Sequence, residues 1–250
     1  MLALSLEKIS VSFGGIQALA LLSISVEVGE KRAIIGPNGA GKTTLFNIIS
    51  GMIRPTSGRV VLFDQDITDC PVHLRAFFGL SRTFQITNLF SNLSVLENII
   101  LGLQALTRTK YVFYNRTVSF RELIDNAKSL LSKWGLWEKQ NYPVRNLSHG
   151  EQRQLEIVLA LSAKPRLLLL DEPTQGLSTA ETGLVIPMIE QLDPSTTVIF
   201  IEHDIDVAFK IADKVTVLYF GQILAEGKED EIRGNSKIAE VYLGLDSRHA

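Results

Sequence analysis

The chain has 250 residues, with 25 Lys and Arg against 27 Asp and Glu, a formal charge of −2. That balance gives no electrostatic basis for wrapping nucleic acid or coating an anionic membrane, and the single cysteine, Cys70, excludes an internal disulfide framework. At 46% hydrophobic residues and a mean hydropathy of +0.17 the chain is apolar for a water-soluble protein, yet no apolar run nears the roughly 18–20 residues of a membrane-spanning helix.

The opening stretch reaches Glu7 and Lys8 too early for a signal-peptide core. The expectation is a cytoplasmic globular protein, one large domain or two small ones, with enough core to fold without disulfides or structural metal. In chain order, the first 30 residues alternate. Leu2, Leu4 and Leu6, and later Ile24, Val26 and Val28, predict half-buried antiparallel strands with Gly14 and Gly15 as the turn. A short strand at 33–35, a glycine-rich loop, a helix at 43–50 and a strand at 59–63 follow.

From Pro71 to Asn146 apolar residues recur at helical spacing: Val95, Ile99, Leu103 and Leu106, then Leu123, Ala127, Leu130 and Leu131. This predicts a mostly helical inserted subdomain. From Gly150 helix and strand alternate. The strands 167–170, 197–201 and 215–219 are almost unbroken apolar runs, as in a parallel sheet covered on both faces by right-handed βαβ crossovers. The tail at 229–245 predicts two short helices.

Gly36-Pro37-Asn38-Gly39-Ala40-Gly41-Lys42-Thr43 matches the phosphate loop G-x-x-x-x-G-K-[ST], with a strand before it and a helix after it. The glycines allow positive φ and let amides approach phosphate oxygens. The helix start adds partial positive charge. Lys42 offers a point charge to β- and γ-phosphates, and Thr43 a hydroxyl to Mg²⁺. Residues 36–43 with Thr44 are the expected nucleotide-binding set. A second signal is Asp171-Glu172 after four leucines, at the carboxyl edge of a buried strand. Alone, the pair reads equally well as two solvated acids. Beside a phosphate loop, Asp171 is expected to hold Mg²⁺ and Glu172 to act on the attacking water.

Leu147-Ser148-His149-Gly150-Glu151, about 20 residues before the Asp-Glu pair, is similar to the LSGGQ signature of ABC transporter nucleotide-binding subunits. Ser148 and Glu151 also form a capping-box pattern, so an ordinary helix start is the other reading, and both roles can hold together. The resemblance spans nearly the whole chain. It implies an α/β fold: a P-loop NTPase of ABC type, mainly parallel sheet core, with an N-terminal antiparallel β part and an inserted helical subdomain. Residues 1–250 would be one ABC ATPase domain, with 1–85 and 165–250 as catalytic core and approximately 86–164 as the helical subdomain carrying the signature.

Further roles come from the resemblance alone. Phe13 is similar to the aromatic that stacks on adenine, a core Phe being the alternative. Gln85 resembles the Q-loop glutamine that reaches Mg²⁺ or water, and His203 the switch histidine at the γ-phosphate. The implied catalytic residues are Glu172, His203 and Gln85, and the implied Mg²⁺ ligands Thr43, Gln85 and Asp171. Ser148 and Gly150 would face ATP held by a second ABC subunit, identical or different, joined in an ATP-dependent dimer. Two positions depart from the pattern: His149 replaces a glycine, and Ser178 stands where the family often has Asp, keeping a hydrogen-bonding group without the charge.

Within the family, the stretches 79–90 and 93–99, the lengthening at 106–120 and the ending Val241-Tyr242-Leu243-Gly244 are most like the ATPases of branched-chain amino-acid uptake. The implied function is ATP hydrolysis powering import of a small solute through transmembrane permease subunits, with no nucleic-acid partner. The chain would be cytoplasmic, peripheral on the inner face of the cell membrane. An importer ATPase for urea or amides, or a soluble non-transport ABC ATPase such as one in iron–sulfur assembly, are the alternatives. An apolar groove near Gln85, lined by residues 84–90 and Val95, is expected to receive a permease helix. The aromatics Tyr111, Phe113, Tyr114 and Phe120 read as satellite core or as a docking surface.

Overall fold

The computed structural model describes residues 1–83, 89–105 and 118–238. Strands β1 (Leu2–Phe13) and β2 (Ile16–Glu27) form a long antiparallel hairpin turned by Gly14 and Gly15, both at positive φ. β3 (Lys31–Ile35) feeds the glycine-rich loop and helix α1 (Lys42–Ser50). β4 (Ser57–Leu62) pairs with β1, and β5 (Gln65–Asp66) with β4, completing a four-stranded antiparallel sheet. The short α2 (Val72–Arg75) and β6 (Leu80–Arg82) precede the longer helices α3 (Val95–Ala105) and α4 (Val118–Lys133). Then come α5 (His149–Ser162), β7 (Leu167–Asp171), α6 (Thr179–Glu190), β8 (Thr197–Ile201), α7 (Ile205–Ile211), β9 (Lys214–Tyr219), β10 (Gln222–Gly227) and α8 (Glu229–Arg233). The second sheet runs β10-β9-β3-β8-β7-β6, parallel throughout except for β10.

β7 shows why the apolar runs form central strands. Successive side chains of a strand face opposite ways. Leu168 and Leu170 join the core shared with α3, α4, α5 and α6, while Leu167 and Leu169 join the core shared with α1 and the antiparallel sheet. All four leucines are fully buried, each contributing about 1.5–3 kcal/mol of burial free energy. Any polar substitution in this run would face one core or the other.

α1 is held at both ends. Its apolar residues Leu45, Phe46, Ile48 and Ile49 are buried toward the hairpin side. It stops at Gly51, which takes a left-handed conformation at φ 83°. Arg75 lies against that end, 1% exposed. Its guanidinium donates to the carbonyls of Ile48, Ile49, Ile67, Thr68 and Cys70 at 2.7–3.2 Å, and burial pushes it below the usual arginine range. A cation on the last helical carbonyls is favourable. Arg75→Ala would strand these acceptors in an apolar site. The expected loss is about 3–5 kcal/mol, the range for stripping one partner from a buried charged network, measured by urea unfolding.

Several elements differ from the sequence reading. Leu2 does not share the face of Leu4 and Leu6: a register shift between Leu2 and Leu4 leaves it 39% exposed. Val28 lies past the end of β2 and is also exposed. The stretch from Pro71, read as helical, contains β6, an edge strand of the large sheet. β10 was not expected at all, because Gln222 and Glu226 interrupt its apolar pattern. Val95, on α3, is fully buried in the core and is not among the described residues that line the groove beside β6. Leu106, Tyr111, Phe113, Tyr114 and residues 241–244 lie outside the described residues, and nothing is described of Phe120 beyond its place in α4.

Candidate active site

Three loops leave the same edge of the large sheet. In the order β3-β8-β7 the strands are adjacent and parallel. The phosphate loop, His203 and the pair Asp171–Glu172 therefore meet at the carboxyl ends, where open α/β sheets bind ligands.

The loop's shape requires its glycines. A Cβ on Gly36 (φ 151°) would lie 2.2 Å from the carbonyl oxygen of Leu218, and one on Gly41 (φ 104°) 2.7 Å from the Leu19 side chain. The backbone is braced from behind: Gly221 N–H donates to Ala40 O at 3.0 Å, and Ala20 N–H to Gly221 O at 2.9 Å. Pro37, Asn38, Gly39 and Ala40 make the bend, and Ala40 N–H closes on Pro37 O at 3.2 Å. Lys42 opens α1 and folds back over the loop, its Nζ donating to Gly36 O at 2.6 Å and Pro37 O at 3.1 Å. Burial lowers its pKa, while the carboxylate of Glu172 works the other way. Thr43 is exposed and Thr44 half-buried at the same helix start.

Glu172 sits at φ 49°, a left-handed conformation unusual for a residue with a long side chain. Such strain costs about 1–3 kcal/mol and persists only where neighbours impose it. Here they do. Arg153 on α5 donates to the carbonyls of Asp171, Glu172 and Pro173. The turn is held from the β8 side by buried Glu202, which accepts from Thr174 N–H at 3.1 Å and its hydroxyl at 2.9 Å; burial raises that carboxyl above its ordinary range. Glu172 Oε1 lies 2.9 Å from His203 Nε2. Asp171 is paired with Arg82 at 2.8 Å, both side chains almost fully buried. Arg82 also donates to Asn47 and Ser50 on α1, each at 2.8 Å.

The signature segment opens α5. Ser148 caps it, its hydroxyl accepting from Glu151 N–H at 3.2 Å while the Glu151 carboxylate accepts from Ser148 N–H at 3.0 Å. The capping box is thus formed, leaving Ser148 exposed. Gly150 N–H donates to Glu181 Oε1 at 2.9 Å. The same Glu181 carboxylate accepts from Ser178 N–H and hydroxyl at 3.0 and 2.8 Å, and these bonds hold its pKa below the ordinary carboxylate range. One carboxylate therefore joins the starts of α5 and α6, with Ser178 as cap where an Asp was the commoner expectation. Phe13 is 49% exposed at the tip of the hairpin whose Ala18–Leu19 segment abuts Gly41. Gln85 lies outside the described residues.

The family model described as ABC transporter matches residues 19–175. The chain belongs to the ABC transporter family. The cassette is an ATPase of that family, in agreement with the resemblance and the fold class read from its sequence. It is 37% identical over 248 residues to the high-affinity branched-chain amino acid transport ATP-binding protein LivG of Escherichia coli strain K12, covering 96% of this chain and 97% of LivG. Its backbone is similar to that of an ABC transporter ATP-binding cassette in its ADP conformation, with a TM-score of 0.86, 31% identity, and coverage of 98% of this chain and 99% of that one. A dimeric cassette in a post-hydrolysis state, bound to ADP and Pi, matches with a TM-score of 0.75 at 28% identity, covering 90% and 98% of the two chains.

Reading the motifs left Arg82, Arg153 and Glu181 without a role. Arg82 lies three residues before Gln85, but its partner Asp171 is 89 residues away. The one available signal was a cation closing the short segment Leu80-Ser81-Arg82, of which only the leucine is buried. No helix among the described residues is long and apolar enough to cross a membrane.

Proposed function

We propose that this cassette hydrolyses ATP to drive uptake of branched-chain amino acids through membrane permease subunits, from the cytoplasmic inner face of the membrane. Identity to LivG over nearly the full length of both chains supports the solute class. The observation that carries the chemistry is Glu172 held at the sheet edge, 2.9 Å from His203 and beside Lys42.

In this reading the amides of residues 36–41, with Thr43 and Thr44, cradle the phosphates. Lys42 exchanges its loop carbonyls for the β- and γ-phosphates, and Phe13 stacks on the adenine. The Thr43 hydroxyl and Asp171 carboxylate are hard oxygen donors, which suit Mg²⁺, a cation that keeps water and phosphate in its shell. With Gln85 they would hold it, and it would neutralise charge on the β- and γ-oxygens. Arg82 fixes the Asp171 carboxylate in place. Glu172 takes the proton of the water that attacks the γ-phosphorus. The new P–O bond forms as the bridging bond to the β-phosphate breaks, leaving ADP and inorganic phosphate. His203 orients Glu172 and lies where it can contact the γ-phosphate. Ser148 and Gly150 meet the nucleotide of a second cassette, which makes dimerisation ATP-dependent by mass action. The dimeric relative with ADP and Pi supports this arrangement.

A groove of about 450 Å³ opens beside β6, lined by Val72, Leu80, Leu89, Phe90, Leu101 and Leu159 among others. Phe90 and Leu101 are 58% and 41% exposed there. This is the proposed seat of a permease helix. Phe90→Ser combined with Leu101→Ser is expected to reduce permease co-purification at least about tenfold, about 1.4 kcal/mol, with ATP affinity retained. Equal capture by the double variant would remove the groove from the reading.

A further inference from the structure

The groove is not apolar throughout. Glu156, on α5, lines it alongside Leu101, Gly102, Leu159 and Ala160. Its side chain is 6% exposed. Oε2 accepts from Arg153 Nη1 at 2.8 Å. The other oxygen, Oε1, is buried and meets no hydrogen-bond partner among the described residues. Nearly all buried polar groups in folded proteins are paired, and a charged one left alone is strongly penalised. Burial accordingly pushes this carboxyl above the ordinary carboxylate range. Arg153 does not balance it fully, since the same guanidinium is also spent on the carbonyls of Asp171, Glu172 and Pro173.

These observations describe an unpaired acceptor buried in the wall of a groove of helix-binding character. Resting on the reading that a permease helix fills this groove, we infer that the helix carries a Lys or Arg whose side chain donates to Glu156 Oε1, and that Glu156 and Arg153 pass this pairing to the Glu172 turn. Glu156 is a positioning residue in this scheme, since it touches neither nucleotide nor water. Pairing keeps the carboxylate ionised, and an ionised Glu156 holds Arg153 by a charge-assisted bond. Arg153 in turn supports the left-handed backbone at Glu172, φ 49°. Occupancy of the groove is thereby coupled to the geometry of the hydrolytic base. The charge requirement narrows the partner: an all-apolar helix, or one with an acidic residue at this depth, would leave the carboxylate unpaired or repelled.

Two substitutions separate this role from a merely structural one. Glu156→Gln retains an acceptor for Arg153 but puts an amide NH₂ where Oε1 stands, so that donor faces donor. Glu156→Met removes both oxygens. The measurement uses the full chain co-expressed with its own permease subunits and reconstituted in lipid vesicles. The readout is the ratio of permease-stimulated to basal ATPase, and ATP affinity reports that each variant is folded. The ratio is expected to fall at least about tenfold in Glu156→Gln, and as far in Glu156→Met. A ratio in Glu156→Gln within about twofold of wild type, with loss confined to Glu156→Met, overturns the inference: Glu156 then serves only as the counter-ion of Arg153. In that outcome wild-type co-purification with the permease still stands. Failure of the wild-type chain itself to co-purify would instead overturn the docking reading, and this inference with it.

Discussion

Glu172→Gln is expected to lower the single-turnover rate of ATP hydrolysis by about 10²–10⁴-fold, the usual cost of losing a general base, while ATP still binds. The amide keeps the shape of the carboxylate and its contact with His203, now 2.9 Å away. It cannot take the proton of the attacking water. Binding persists because the phosphate loop, Lys42 and Asp171 are untouched. It should tighten slightly, since a carboxylate facing the γ-phosphate is repelled by it and an amide is not. There is a compensating effect at Lys42: burial already lowers its pKa and the Glu172 carboxylate opposes that shift. Removing the carboxylate weakens the hold on the lysine's proton until phosphate replaces it. Two observations should then coincide, a collapse of turnover and an ATP-bound dimer that no longer dissociates. Single-turnover kinetics and the mass of the complex in Mg-ATP measure both. Adding Ser148→Arg should abolish the dimer by placing a bulky cation where the signature meets the opposite nucleotide. Near wild-type hydrolysis in Glu172→Gln would make Glu172 a structural strand-end acid.

Lys42→Ala should weaken ATP binding by about 10–150-fold, corresponding to about 1.5–3 kcal/mol for a charged hydrogen bond. In the structure Lys42 already bonds the carbonyls of Gly36 and Pro37, at 2.6 and 3.1 Å. Nucleotide binding therefore exchanges existing bonds for stronger ones to phosphate, and the net effect should lie within that range, well short of a full desolvated ion pair. The loop itself should survive, because Gly221 and Ala20 brace it independently. Calorimetric titration of ATP into the variant gives the value directly. Unchanged affinity would remove the phosphate-binding role of the loop's lysine.

Much of the fold was open to reading because its signals are local. The central strands β7 and β8 each carry four apolar residues in a row, and β9 is apolar from Val215 to Tyr219 but for Thr216; all three are largely buried, and the sequence shows them as such. α1 follows a glycine loop and ends at Gly51, so both ends are marked. The edge strands were harder. β6 is three residues long, Leu80-Ser81-Arg82, and only its leucine is buried. β10 mixes Gln, Ala and Glu with two aliphatics. An edge strand pairs on one side and covers little core, so it needs no apolar run and leaves no periodic trace. Val95 failed differently: its helical spacing was read correctly, but which face of α3 turns inward depends on α4 and α5, far along the chain.

The same division runs through the active site. The proposed phosphate binding is written in eight consecutive residues, 36–43, because it depends on backbone conformations that glycine permits and on the start of the next helix. Asp171 and Glu172 could be proposed as metal ligand and base from a strand end beside such a loop. What the tertiary structure decided is how those groups are held. Arg82 reaches Asp171 across 89 residues, Arg153 props the strained Glu172 turn from about 20 residues upstream, and Glu181 binds Gly150 across 31 residues. Each is one charged side chain, with no spacing or repeat to mark its partner. A buried charge such as Arg82 or Arg153 finds its partner only when packing excludes water and leaves it no other place to be satisfied. The chemistry of this site was thus local in sequence, and its support long-range, because backbone shape is set by neighbouring residues whereas pairing of buried charge is set by the core that encloses it.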